Sequence, residues 1–164
     1  MSLSGGNEKI TYLVSGGLLD QQGLIRHGED RFYRYSLNSK ISAKLSDWAT
    51  LNFSNRWIRE EYQRPTYMTG LFFHNIARRW PVNPVNDPNG FLLFGNEIQQ
   101  MKDGGKQKQQ KDYVYQQAQL VLEPLTNWKI FLEGNYNTVQ NFTHWEVLPV
   151  YGYDGEGKPY AIVS

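Results

Sequence analysis

The chain has 164 residues with 17 basic and 16 acidic side chains, so no net field favours nucleic acid or an anionic surface as partner. Cysteine is absent, which excludes disulfide staples and cysteine-ligated zinc. No apolar run approaches the roughly 18 residues that a membrane helix needs, and Met1-Ser2-Leu3 has neither the basic nor the apolar region of a secretion signal.

Residues 1–3 read as a vector-derived remnant, with native sequence from about Ser4. The chain could then be an internal piece of a larger exported protein. A first strand is expected over 8–19, with Ile10, Tyr12, Val14 and Leu18 on one face and a bulge at Gly16-Gly17. Residues 20–30 form a polar connection. Next comes a long hairpin over 31–62. Arg31, Tyr33, Tyr35, Leu37, Ser39, Ile41, Ala43 and Leu45 fall in one register, and Phe32, Arg34, Ser36, Asn38, Lys40, Ser42 and Lys44 in the other. After a turn at Ser46-Asp47-Trp48, Ala49, Leu51, Phe53, Asn55 and Trp57 oppose Thr50, Asn52, Ser54 and Arg56. Period two means a strand with one oily and one wet face. Soluble strands run about 5–6 residues, whereas a run of about 15 spans roughly 50 Å and suits a large outer-membrane barrel.

Residues 63–111 are too many for a structureless loop, so two short helices are expected inside it. One spans 70–80, with Phe72, Phe73, Ile76, Ala77 and Trp80 near one face and Pro81 as its stop. The other spans 96–103, capped by Asn96 and ended by Gly104-Gly105. Asp87-Pro88-Asn89-Gly90 reads as a turn rather than a calcium loop, because the ligand spacing fails. A last strand pair is expected over 112–141 through Thr126-Asn127, followed by a turn over 154–157. The motifs Leu45-Ser46-Asp47-Trp48 and Leu125-Thr126-Asn127-Trp128 share one pattern. Both turns at one end of the sheet would set two indoles at one height, as in an aromatic girdle.

The fold class is therefore mainly β: an antiparallel up-and-down meander of about five long strands, a segment of a large outer-membrane β-barrel, with short helices in a long loop. Catalytic chemistry has no carrier. His27, His74 and His144 lack metal spacing, and Glu60-Glu61 point to opposite faces of a strand. No cofactor is implied. The sharpest cluster is Arg78-Arg79-Trp80, in which guanidinium groups beside an indole could contact a carboxylate, a sugar or a partner loop. The plainer alternative packs Trp80 under the loop and pairs the arginines with nearby acids.

Several segments together resemble SusC/RagA-type TonB-dependent transporters. They are Thr11-Tyr12-Leu13-Val14-Ser15-Gly16-Gly17-Leu18-Leu19-Asp20-Gln21-Gln22-Gly23, Arg31-Phe32-Tyr33-Arg34-Tyr35-Ser36-Leu37-Asn38, Gly70-Leu71-Phe72-Phe73-His74-Asn75-Ile76-Ala77-Arg78-Arg79-Trp80-Pro81 and Asp87-Pro88-Asn89-Gly90. The resemblance spans residues 4–150. It implies a piece, 4–164, of a plugged barrel of about 22 strands in the outer membrane of Bacteroidetes. It also implies a SusD-like surface lipoprotein and TonB as partners, and an oligosaccharide or peptide as cargo. The fragment alone would not transport, and its open edges and oily face would make it self-associate or fold its loop helices back over that face. A soluble carbohydrate-binding β-sandwich is the alternative, and it requires breaks within 31–45.

Overall fold

The computed structural model describes residues 1–93, 97–154 and 156–163. The chain is mainly β, with 62% of residues in strands and an antiparallel meander of six strands. These are β1 (Ser2–Gly6), β2 (Ile10–Gln22), β3 (Arg31–Ser46), β4 (Ala49–Pro65), β5 (Lys106–Leu125) and β6 (Trp128–Trp145), hydrogen-bonded in chain order. Two short helices, α1 (Gly70–Arg78) and α2 (Glu97–Asp103), lie between β4 and β5. Strands β7 (Val150–Tyr153) and β8 (Pro159–Val163) form a separate hairpin.

Two compact units share the chain. The first holds residues 1–20, 33–61 and 110–142. Apart from the five-residue β1, its strands belong to runs of 13 to 20 residues, uninterrupted through 31–45, where a sandwich would need breaks. Short turns collect at one end of this unit. The Lys44 N–H donates to the Lys9 carbonyl at 2.7 Å, and the Glu123 N–H to the Trp48 carbonyl at 2.7 Å. The turns at 7–9, 47–48 and 126–127 are therefore neighbours, as expected for the last two. At the first, the Asn7 carboxamide accepts from the N–H groups of Lys9 and Ile10.

The two Leu–hydroxyl–Asx–Trp motifs turn out of step. The first turns at Asp47-Trp48, within the expected 46–48, whereas the second turns at Thr126-Asn127 and starts β6 with Trp128. Asn127 has φ 67°, and asparagine is the non-glycine residue best suited to that left-handed conformation. No such residue occurs at 46–48, so the turns differ in backbone despite matching sequence.

The second unit holds residues 21–32, 62–109 and 143–164. Phe72 of α1, Met101 of α2, Val150 of β7 and Pro65 are buried in it. Helix α1 stops at Arg78, short of the expected 80. Arg79 is already extended (ψ 133°), and its N–H donates to the Ile76 carbonyl. Of the expected apolar face only Phe72 is buried, while Phe73, Ile76 and Trp80 are exposed. Asn96, expected to cap the second helix, and Gly155 lie outside the described residues. Asp87–Gly90 is a turn: the Asp87 carboxylate accepts from the Phe91 N–H at 2.8 Å, and Gly90 takes φ 90°.

Residues 2–6 form a strand that was not expected, β1, pairing Ser2 with Ser15 through Gly6 with Thr11. Other boundaries differ from expectation or extend it. Gly16-Gly17, the expected bulge, lies within β2, which runs without interruption from Ile10 to Gln22. β5 begins at Lys106 rather than 112, because the Lys/Gln-rich stretch extends its ladder. The turn at 154–157 joins two strands, and Asp154 accepts from the N–H groups of Glu156 and Lys158.

Gly28 is the most constrained position of the loop at 23–30. It has φ +87°, and a Cβ there would meet Pro65 at 2.5 Å and the Met101 carbonyl at 2.7 Å. Gly28→Ala should cost about 1–2 kcal/mol from backbone strain alone, with the clash added. Limited proteolysis should then cut within 21–32 faster than in the parent chain. Equal cleavage rates would show that the loop does not depend on this close approach.

Candidate functional site

Two features outside ordinary packing stand out: the two faces of the long strands in the first unit, and a cleft beside α1 in the second. The strands sort by alternate position, and side-chain bonds identify the shared face. The Ser42 hydroxyl donates to Asn52 at 2.7 Å, and Asn52 to Gln119 at 3.2 Å. Gln117, Gln119 and Asn135 all donate to Glu133. Arg56 donates to Asn38, and Asn38 to Ser15. These residues belong to one register of β2 to β6. Their bonds join the strands into an amide and hydroxyl ladder over an open trough of about 660 Å³.

The opposite register carries Ile41, Leu45, Leu51, Phe53, Leu120, Leu122 and Leu132. Leu45 is 61% exposed and Leu132 55%. Ala49 is the only buried apolar side chain among the described residues of this unit. Polar side chains thus satisfy one another on one face, while on the other Ile41, Leu45 and Leu132 are exposed and Leu51, Phe53, Leu120 and Leu122 half-buried. At the turn end, exposed Trp128 opens β6 in this register, and Trp48 is exposed in the turn that precedes β4. Trp57 follows Trp48 by nine residues, and Tyr136 follows Trp128 by eight.

Beyond Trp57 the same register changes character. Arg59 lies over the Trp57 ring at 5.4 Å. Its Nε and Nη2 donate to the two oxygens of Asp112 at 2.7 and 3.0 Å, a fork that only arginine supplies. Gln110 donates to the same carboxylate at 2.7 Å. An apolar stripe therefore ends in an aromatic ring and a closed ion pair.

In the second unit the sequence cluster Arg78-Arg79-Trp80 separates. Arg79 turns onto Glu97, its Nη2 donating at 2.8 and 2.6 Å to both carboxylate oxygens. Glu97 is almost buried there, so this pair clamps the end of α1 to α2. Arg78 keeps the opposite direction, its Nη1 3.3 Å from His74 Nε2, one helical turn earlier. Trp80 is 73% exposed rather than packed under the loop. Arg78 and Trp80 line a cleft of about 470 Å³ with His74, Asn75, Asn83 and Gln100.

Sequence reading missed Glu97, which lies 18 positions from Arg79 and carries no local signal. The spacing of His74 and Arg78 at i and i+4 was readable but unused. Elsewhere in this unit, the Lys106 ammonium donates to Glu29 at 2.7 Å. That bond, supported by Gln63, holds the Glu29 carboxyl below its ordinary range.

Comparison with family models, curated proteins and solved structures returned no match for this chain.

The clamp makes a quantitative expectation. Glu97→Gln should cost about 1–2 kcal/mol, below the value for a fully buried pair because Arg79 remains partly solvated. A double-mutant cycle with Arg79→Gln should return most of that as coupling, read from denaturant unfolding. Additive losses would mean that the two side chains stabilise the helices separately.

Proposed function

We propose that the chain is part of the wall of an outer-membrane, TonB-linked nutrient importer. The observation that carries this reading is the inverted amphipathicity of the long strands. An apolar register without a core beneath it needs a solvent other than water. Lipid supplies one, and a closed sheet satisfies its backbone there. Crossing a bilayer takes about 9–11 strand residues, close to the spacing between the indoles at the turn end and the rings of Trp57 and Tyr136. The strands are longer than that, and the surplus projects beyond the membrane. Arg59 and Asp112 then mark where the outward register leaves hydrocarbon, paired so that neither charge faces lipid alone.

The polar ladder around Glu133 lines the interior. The turns at 7–9, 47–48 and 126–127 face the periplasm, and the connections at 23–30 and 66–105 face outward. Cargo, an oligosaccharide or a peptide, and a SusD-like lipoprotein meet the protein on that outer side. TonB supplies energy to the whole importer, and a sheet of this size transports nothing alone. The resemblance of the 11–23, 31–38 and 70–90 segments to SusC/RagA-type transporters supports the same assignment. A soluble carbohydrate-binding sandwich fits less well, because it needs a second sheet over Leu45, Leu120 and Leu132.

In water the isolated chain should associate with rising concentration and become monodisperse in detergent. A charge separates the faces further. In an importer carrying this segment, Leu120→Arg should weaken assembly by about 2–4 kcal/mol, whereas Gln119→Arg should cost under about 1 kcal/mol. Heat-modifiable migration on gels reads the assembled fraction. Equal losses at both positions would contradict a lipid-facing register.

A further inference from the structure

The cleft beside α1 has a chemistry of its own. Arg78 pairs with no carboxylate among the described residues, and its recorded partner is His74. The one acid lining the cleft, Glu97, is neutralised by Arg79. The opening therefore presents an uncompensated guanidinium. Around it stand three carboxamides, Asn75, Asn83 and Gln100, each with a donor and an acceptor. Trp80 closes one side with its ring largely in solvent. The Asn83 N–H donates to the Trp80 carbonyl at 3.1 Å, a turn that fixes the backbone carrying the indole.

We infer that this cleft binds an acidic saccharide, holding a sugar carboxylate on Arg78 and stacking a pyranose face on Trp80. Guanidinium groups match carboxylate geometry through paired N–H donors. An exposed indole offers an apolar platform that costs little entropy to hold in place. Carboxamides match vicinal hydroxyls, which also donate and accept. An acidic peptide would satisfy Arg78 equally, but it gains most from a strand edge that pairs its backbone. This cleft is lined by helix and turn residues and offers no such edge. The inference rests on the importer reading for its meaning, since it narrows the cargo to acidic glycans, yet binding itself is a property of the cleft.

The test is calorimetric titration of the full 164-residue chain in detergent with tetragalacturonate, its neutral methyl ester and an acidic tetrapeptide. Tetragalacturonate should bind at one site and the methyl ester about tenfold more weakly or worse. Arg78→Gln should lose a similar factor, Arg78→Lys less, and Trp80→Ala about fivefold or more. Both positions are exposed, so unchanged circular dichroism should accompany each loss. Absence of binding to the acid, equal binding of the ester, a peptide that binds as tightly, or an indifferent Arg78→Gln would each overturn the inference. Binding with these dependences would stand even if the strands later proved not to face lipid, so the two readings fail separately.

Discussion

The constraint on which the rest depends is that the apolar register of the long strands has no core beneath it within its own unit, where Ala49 is the only buried apolar side chain among the described residues. A sheet of this size in water buries one face against a second layer. Here the polar face is the one stitched together, through Ser42, Asn52, Gln117, Gln119 and Glu133. Hydrophobic burial therefore cannot hold this unit together from within. Backbone ladders and side-chain amide bonds do so. Arg59 and Asp112, in the apolar register, close on each other as an ion pair.

The second unit obeys ordinary rules and supplies chemistry rather than span. Phe72, Met101 and Val150 give it a small apolar centre. The Arg79–Glu97 pair fixes the end of α1, and Gly28 admits the close approach of Pro65 and the Met101 carbonyl. Pinning Arg79 inward leaves its neighbours Arg78 and Trp80 outward. A rigid clamp thereby presents an adaptable pair of side chains on a loop, the usual place for recognition.

The long strands and both Trp-bearing turns were legible because period two and turn residues are local signals. What escaped was non-local. β1 has two glycines and no alternation, and it is a strand because β2 offers it a ladder. β7 and β8 are short, with Gly152 inside one and Pro159 opening the other, so only their turn was visible. Within the site, the sequence brought Arg78, Arg79 and Trp80 to notice. Their division of labour depended on Glu97, a distant residue with no periodic mark.

Because the chain lacks cysteine, it can report its own two faces. Single cysteines placed one at a time at 50–57 and 116–123, in an importer carrying this segment within its native membrane, would be reacted with a water-soluble and a lipid-soluble thiol reagent. The account predicts strict alternation. Positions 51, 53, 57, 118, 120 and 122 should react only with the lipid-soluble reagent, and positions 52, 54, 56, 117 and 119 with the water-soluble one. Equal access of the water-soluble reagent to both registers would contradict it, since the apolar stripe would then have no lipid against it.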